Sequence, residues 1–314
     1  MFKLRAIKSS ISKEIDKLNI ILNNEINQIN DEFLSEIYGF LTQQKGKQIR
    51  GALTLLINSF YNPSFKSQDI INLAAGIELI HLASLVHDDI IDQSQIRRNQ
   101  DTVFKKYGLD NAILSGVHIY SLALKRIIKI QNIQILENIS DTVSKLCEGE
   151  SFQMNHRFDL SISIEKYSSM IQKKTSALFS SLCYCTGILN GLDAKENYEW
   201  QQFGLHLGDL FQLSDDYLDV YDTQNTLSKE NMQDSKSGDV SLPMLIASQQ
   251  LSTNEFNSVI NYLKTNKSEI LNELDKYITI KLNLARECLT KINLRKKDQL
   301  KIESIIQVVL DRIK

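Results

Sequence analysis

Two short acidic segments contain the residues whose types and spacing are best suited to chemistry. Residues 88–92 read DDIID and residues 215–219 read DDYLD, so both have the form DDxxD. On a helix this spacing brings the three carboxylates to one side, with the first and last stacked one turn apart. Two carboxylates about 4 Å apart repel each other by roughly 4 kcal/mol at an effective dielectric constant near 20. A cation is therefore required wherever either segment folds as a helix.

Clustered carboxylate oxygens favour hard cations such as Mg²⁺, which usually keeps several waters and binds jointly with substrate phosphates. One DDxxD segment is explained equally well by a solvated helix end. Two such segments, each closing a long apolar stretch of the chain, favour a shared site. The sequence predicts that both motifs face each other at the mouth of an apolar helical bundle and hold a diphosphate through metal ions. The candidate metal ligands are Asp88, Asp89, Asp92, Asp215, Asp216 and Asp219.

A diphosphate also needs basic residues, and these flank both acidic motifs. Residues 46–50 (GKQIR) predict a lysine and an arginine one helical turn apart, after a glycine that permits close approach. Arg97 and Arg98 follow the first motif, residues 173–175 (KKT) lie in a segment that is otherwise apolar on its far side, and Lys229 follows the second motif. Each of these alone is more typical of a surface charge, so the prediction rests on their joint occurrence.

Long helices must position these residues, because apolar side chains recur at helical spacing along almost the whole chain. Residues 68–92 are apolar on several faces, which is typical of a central, buried helix. Residues 163–190 and 196–221 predict two further long helices, and residues 253–314 predict two or three amphipathic ones. Residues 222–241 form the longest polar stretch and predict a loop. Without a repeat, linker or shift in composition, residues 1–314 are expected to form one all-α domain of about ten helices.

Composition supports the same fold class and excludes several functions. The chain has only 12 glycines and 2 prolines, which favours long helices joined by short loops. A formal charge of −2 excludes a globally basic nucleic-acid binder. The 4 cysteines are too sparse for a disulfide framework or a zinc site, so a reducing cytoplasm is the expected location. Neither a membrane span nor a secretory signal is predicted.

Five segments, in this order and spacing, resemble the trans-isoprenyl diphosphate synthase (polyprenyl synthetase) family. They are GKQIR, ELIHLASLVHDDIID, QIRR, KKTSALF and FQLSDDYLDV. The resemblance extends over about residues 40–245. It implies an all-α bundle of the isoprenoid synthase type around a deep apolar cavity, usually as a homodimer. The implied reaction is the head-to-tail condensation of an allylic diphosphate with isopentenyl diphosphate to a trans-polyprenyl diphosphate.

The resemblance also implies a role for each matching residue. Three Mg²⁺ ions are expected on Asp88, Asp92 and Asp215, with Asp89, Asp216 and Asp219 in support or acting through water. The allylic diphosphate is expected on Arg97, Lys174 and Lys229. Isopentenyl diphosphate is expected on Gly46, Lys47, Arg50, His81 and Arg98. Thr175 and Gln212 are expected to turn oxygen dipoles towards the nascent carbocation.

Four positions depart from the family pattern. Gly51 stands where proline is frequent, Asn99 where glycine is usual, and Val117 where an aspartate is common. Asp239 stands where many members have a lysine. Because an acid cannot bind a diphosphate directly, Asp239 predicts either weaker substrate binding or a position that does not contact substrate. The core metal and cation positions are all present, so an active enzyme is expected.

Product length and two other functions stay open at the level of sequence. Ala83 and Ser84, about one turn before Asp88, are small and predict a cavity long enough for a product of 20 carbons or more. A class I terpene cyclase would use the same metal-triggered ionisation. A non-catalytic or partner-dependent subunit of a heteromeric prenyl synthase is the other alternative, which Val117 and Asp239 favour. Release of a long product could involve transient contact with a membrane.

Overall fold

Helices account for almost all of the chain that the computed structural model describes, namely residues 2–27, 29–43, 46–62, 64, 68–221 and 237–313. The first eight are α1 Phe2–Ser10, α2 Ser12–Asn27, α3 Glu32–Gln43, α4 Ile49–Tyr61, α5 Asp69–Ile91, α6 Val103–Tyr107, α7 Leu109–Ile128 and α8 Ile133–Asn155. Then follow α9 Ile164–Ile171, a π-helical turn Gln172–Ser176, α10 Ala177–Leu189, α11 Ala194–Tyr221, α12 Leu242–Leu251, α13 Phe256–Thr265, α14 Lys267–Lys291 and α15 Lys296–Leu310. The all-α prediction is confirmed.

The apolar segment predicted to be central forms α5, which packs against α4, α7 and α10. Among the described helices, α5 is the one that is long and apolar enough to cross a membrane by length and composition. However, 67% of its apolar window is buried inside the fold. Burial on several faces is what a core helix requires, so its hydrophobicity is explained by the packing of this domain.

Helices α10 and α11 form the other half of the core. They pack against each other, α10 also contacts α4 and α5, and α11 lies along α14. The largest side chains at these contacts, Phe179, Trp200 and Phe203, are fully buried. At the ends of the chain, α1 packs against α15. The two helices that end in acidic motifs, α5 and α11, are thus joined through α10.

Two local features differ from straight helices and short loops. The predicted helix over residues 163–190 is interrupted by the π-helical turn, a type of irregularity that is frequent at functional sites. After the first acidic motif, strands β1 (Ile96–Arg97) and β2 (Gln100–Asp101) pair antiparallel as a small hairpin. Arg98 and Asn99 at its turn have φ of 54° and 60°. Asparagine tolerates this left-handed conformation well, which accounts for the replacement of the usual glycine by Asn99.

Gly51, which stands where the family frequently has proline, is explained by its contacts in the first turn of α4. Its N–H has no partner within the helix and donates to Glu78 Oε1 at 2.7 Å. A Cβ at this position would lie 2.9 Å from Leu18 Cδ2. Burial raises the pKa of Glu78, and the hydrogen bond from Gly51 opposes that rise. Proline would remove the donor and occupy the space.

We expect Gly51→Pro to lower the free energy of unfolding by about 1–3 kcal/mol, because an oxygen of the half-buried Glu78 loses its donor. Urea denaturation measures the change. Gly39→Ala in α3 is the control, since no atom lies within 4 Å of a Cβ there. In a helix interior that substitution should raise stability by about 0.5–1 kcal/mol. A Gly51→Pro protein as stable as the wild type would contradict this explanation.

Candidate functional site

The first acidic motif lies at the carboxyl end of α5. Asp88 and Asp89 are in its last turn and Asp92 is the residue that caps it. The helix dipole makes this an unfavourable place for negative charge. Asp89 is buried and accepts a hydrogen bond from Arg97 Nε at 2.7 Å, while Asp92 Oδ1 accepts one from Arg157 Nη2 at 2.6 Å. Two guanidinium groups therefore balance two of the three aspartates.

Burial dominates the electrostatics of this motif. It raises the pKa of Asp88 to about 7, against the opposing effect of the Lys174 ammonium. It also raises the pKa of Asp92 to about 6, again opposed by Lys174 and reinforced by Asp239 and Glu150. Desolvation of a carboxylate favours its neutral form. Both carboxyl groups therefore gain or lose a proton close to neutral pH.

The second acidic motif occupies the last turns of α11, and its aspartates have different partners. Asp216 is buried and accepts hydrogen bonds from the Tyr167 hydroxyl, from Leu242 N at 3.0 Å and from Gln212 Nε2 at 3.2 Å. It thus ties α11 to α9 and to the start of α12. Asp219 is half-buried. These contacts support a structural role for Asp216 beside any contribution to metal binding.

Asp215 instead pairs with a residue from the end of the chain. Arg312 donates to its Oδ1, donates to Ser214 Oγ at 3.0 Å and lies over the Phe211 ring at 4.3 Å from the centroid. Burial raises the pKa of Asp215, and Arg312 is the strongest opposing influence. The segment after α15 therefore covers the second motif with a positive charge.

Arg50 lies near charged residues of the second motif and near an arginine that follows the first. It is buried, with its guanidinium 4.5 Å from the centroid of the Phe179 ring, and it interacts electrostatically with Asp215 and Arg98. Burial, together with Arg50, Arg98 and Arg97, lowers the pKa of His81 well below its usual range, so His81 is neutral. A line of charges thus runs from Asp215 through Arg50 to the arginines beside the first motif.

The structure corrects one local prediction about this basic group. Lys47 does not share a helical turn with Arg50, because α4 begins only at Ile49 and Gln48 before it has a left-handed φ of 47°. Lys47 is exposed at the entry to the helix. Gly46 does allow close approach, since a Cβ there would lie 2.9 Å from Arg98 Nη1.

The π-helical turn carries two more predicted residues. Lys174 Nζ lies 2.7 Å from Glu150 Oε2 and donates to Gln153 Oε1 at 2.9 Å. Thr175 Oγ1 donates to Gln212 Oε1 at 2.8 Å, so the structure brings the predicted dipole pair together. A Cβ on Gly149 would lie only 2.5 Å from Lys174 N. Close backbone contact with α8 thus positions the turn.

Four charged residues of the site were not predicted from the sequence: Glu78, Glu150, Arg157 and Arg312. Arg157 and Arg312 follow the ends of α8 and α15, where no periodic pattern constrains a side chain. They are 65 and 97 residues away from the aspartates that they contact. Lys229, which was predicted to bind substrate, lies outside the described residues.

The aspartates supply the oxygen donors that a hard divalent cation prefers. Over the described ranges, no group of three or more His, Cys, Asp or Glu side chains is arranged to hold a metal ion. Instead, Arg157 and Arg312 occupy oxygens of Asp92 and Asp215. Each neutralises a carboxylate that a cation could neutralise in its place, so the donor set fits Mg²⁺. The number of ions and the ligand set stay predictions.

Comparisons with known proteins identify relatives over most of the chain. The model of the family described as polyprenyl synthetase matches residues 31–280. Octaprenyl diphosphate synthase of Escherichia coli (strain K12) is 30% identical over 244 residues, which cover 78% of this chain and 75% of that protein. Heptaprenyl diphosphate synthase component 2 of Bacillus subtilis (strain 168) is 28% identical over 288 residues, which cover 90% and 81%.

The fold also matches a solved structure along its whole length. It is that of a polyprenyl synthase from Caulobacter crescentus CB15, complexed with calcium and isoprenyl diphosphate. The TM-score is 0.89 at 22% sequence identity, with 99% of this chain and 98% of that chain covered. At this level of identity the likeness concerns the fold, and it confirms the isoprenoid synthase type predicted from the sequence.

The raised pKa values of Asp88, about 7, and Asp92, about 6, predict a pH-dependent response to Mg²⁺ and pyrophosphate. An acid whose pKa is raised by folding stabilises the fold while protonated, and this stabilisation is lost as the pH rises through the folded-state pKa. Ligand binding requires the ionised form. We therefore expect Mg²⁺ with pyrophosphate to raise the melting temperature more at about pH 8 than at about pH 5.5.

Thermal melts with and without these ligands measure the difference. Asp88→Asn combined with Asp92→Asn should remove most of the pH dependence of the ligand-induced rise in melting temperature. Asp141 is an exposed acid on α8, so Asp141→Asn should leave that pH dependence unchanged. Equal stabilisation at both pH values in the wild type would contradict the prediction.

Proposed function

The chain belongs to the polyprenyl synthetase family, and we propose that it is a trans-polyprenyl diphosphate synthase. It condenses an allylic diphosphate head-to-tail with isopentenyl diphosphate. The observation that carries this proposal is the line of charges between the two DDxxD motifs, with Arg50 interacting with Asp215 and Arg97 pairing with Asp89. Two separate diphosphates need this many cations, whereas a terpene cyclase binds one.

In the proposed reaction, the allylic diphosphate leaves before the new carbon–carbon bond forms. Arg97 and Lys174, with Lys229, bind this diphosphate and stabilise its growing negative charge. Mg²⁺ held by Asp88, Asp92 and Asp215 would supply further electrostatic stabilisation of the leaving group. The relative from Caulobacter crescentus, complexed with calcium and isoprenyl diphosphate, supports a divalent cation in this role.

Isopentenyl diphosphate is assigned to the basic group formed by Gly46, Lys47, Arg50, His81 and Arg98. A neutral His81 can donate one hydrogen bond to an oxygen anion, and it adds no positive charge that its three arginine neighbours would repel. The carbocation lies near Thr175 and Gln212. Gln212 Nε2 donates to Asp216, which orients the amide so that its carbonyl oxygen faces Thr175. The proton lost after bond formation is taken up by the released pyrophosphate.

The active form is proposed to be a homodimer joined through α7. This helix exposes an apolar stripe that includes Ile113, Leu114, Val117, Leu124 and Ile128. Exposed apolar patches of this kind are typical of interfaces. Val117 is 57% exposed within the stripe, so its departure from the family pattern supports a contact between subunits and not the loss of a substrate contact. The relative named component 2 keeps a heteromer as the alternative.

Purified protein with Mg²⁺, farnesyl diphosphate and labelled isopentenyl diphosphate should form products longer by five-carbon units. Asp88→Asn and Asp215→Asn should each lower kcat by at least about 100-fold, because a developing charge loses its stabilisation. Asp141→Asn is the matched control and should keep full activity. Chromatography of the products measures activity, and light scattering on the same sample measures the oligomeric state.

Turnover of farnesyl diphosphate without isopentenyl diphosphate would favour the cyclase. An inactive wild-type chain of native stability would favour the partner-dependent subunit.

Product length is proposed to be 20 carbons or more, as the small Ala83 and Ser84 of α5 suggest. Ala83 is fully buried, whereas Ser84 is half-buried with its hydroxyl on His81 O at 2.9 Å. We expect Ala83→Phe and Ser84→Phe to shorten the product, with Ser84→Phe the less disruptive because it adds no bulk to a closed core. Ser84→Ala is the control. Thin-layer analysis showing an unchanged chain length in both variants would contradict the proposal.

A further inference from the structure

Arg157 joins the first acidic motif to Asp239, the acid that stands where lysine is frequent in the family. It lies just after α8. Its Nε donates to Asp239 Oδ1 at 2.8 Å and its Nη2 to Asp92 Oδ1 at 2.6 Å. Asp239 is only 5% exposed. A positive charge therefore does lie next to position 239, but it comes from another part of the chain.

This bridge belongs to a fixed arrangement of two backbone segments. Phe158 N donates to Gly238 O at 2.7 Å, and a Cβ on Gly238 would lie 2.3 Å from the Phe158 ring. Phe158 itself has a left-handed φ of 63°, a conformation that the surrounding structure must maintain. Asp239 Oδ2 accepts a hydrogen bond from Ser237 Oγ at 2.9 Å. Oδ1 of Asp239 thus accepts from Arg157, while Ser237 holds the same carboxylate through Oδ2.

The charges around the bridge indicate that Arg157 does more than neutralise Asp239. Asp92 lies among Asp239, Glu150 and Asp88, all of which disfavour its ionised form, and among the described residues Lys174 and Arg157 are cations that favour it. A guanidinium has five N–H donors in a planar fork that fits phosphate oxygens. Arg157 directs one of these at Asp239 and one at Asp92, and the second of these comes from Nη2, which carries another N–H.

We propose that Arg157 is a binding residue for the allylic diphosphate and that Asp239 is its positioning residue. The inference rests on the proposed function. When Asp92 serves a metal ion, Arg157 stays anchored by Asp239, and its Nη2 requires a new anion. The diphosphate bound beside Asp92 is that anion. An acid at position 239 thus supports substrate binding through Arg157. Of the two outcomes that the sequence left open for Asp239, this agrees with a position that does not contact substrate and disagrees with weaker substrate binding.

The test compares binding of farnesyl thiolodiphosphate, an allylic analogue that does not ionise readily, by calorimetry in the presence of Mg²⁺. Arg157→Gln should weaken binding about 10-fold to 100-fold, the range expected for a lost charge-assisted hydrogen bond. The KM for the allylic substrate should rise similarly, while the KM for isopentenyl diphosphate should change less than about twofold. Arg157→Lys, which keeps the charge but loses the fork, should be intermediate.

The double variant Arg157→Gln with Asp239→Lys moves the positive charge across the pair. Because Asp239 and Arg157 are in direct contact, the positive charge introduced by Asp239→Lys can replace that of Arg157 towards the diphosphate. Binding of the analogue should recover to within about fivefold of the wild type. Arg286→Gln is the matched control, since it removes an arginine from the exposed ion pair with Glu303 between α14 and α15. It should leave both KM values unchanged.

A purely structural role for Arg157 would lower the melting temperature and weaken both substrates equally, without rescue by the double variant, and that result would overturn the inference. So would unchanged analogue binding by Arg157→Gln. Should Arg157→Gln fail to fold, Arg157→Lys and the double variant give the same comparison. A wild-type enzyme that does not use an allylic diphosphate would instead refute the proposed function, which separates the two failures.

Discussion

Gathering carboxylates at the buried ends of two helices is the constraint on which the rest of this site depends. Burial raises the pKa of Asp88, Asp92 and Asp215, so it disfavours the ionised form of each, and a nearby cation opposes this effect. The protein supplies arginines: Arg97 pairs with Asp89, Arg157 with Asp92, and Arg312 with Asp215. Because unpaired buried charges are strongly destabilising, the arrangement of the arginines is set by the aspartates.

The side chains of the site owe their positions to close contacts between helices that the motifs themselves do not contain. On α11, a Cβ on Gly208 would lie 2.4 Å from the Cα of Ser176 in the π-helical turn. Ser176 Oγ donates at 2.6 Å to the buried Asp209, which also pairs with Lys281 of α14 at 2.8 Å. Since the same turn carries Lys174 and Thr175, packing between α8, α11 and α14 decides where these two residues lie.

The sequence was sufficient for features that depend on local patterns. The apolar stretch of α5 and the location of α11 follow from periodicity, and motifs that resemble a known family singled out Thr175 and Gln212, which the structure brings together. Contacts made over a long separation were not predictable. Arg157 and Arg312 lie in segments without a pattern, and only the fold brings them to the aspartates. Lys47 was misjudged because one left-handed residue before α4 cannot be read from composition.

In the proposed reaction, the same arginines would make the binding of metal and the binding of diphosphate depend on each other. A metal ion alone would bind Asp92 and Asp215 in place of Arg157 and Arg312, and these two arginines would then lack a negatively charged partner. A diphosphate alone would face the carboxylates that these arginines now neutralise. If both bound, the carboxylates would coordinate the metal and the arginines would again face negative charge. Each ligand thereby removes the electrostatic obstacle to the other, and thermodynamic linkage requires this coupling to be equal in both directions.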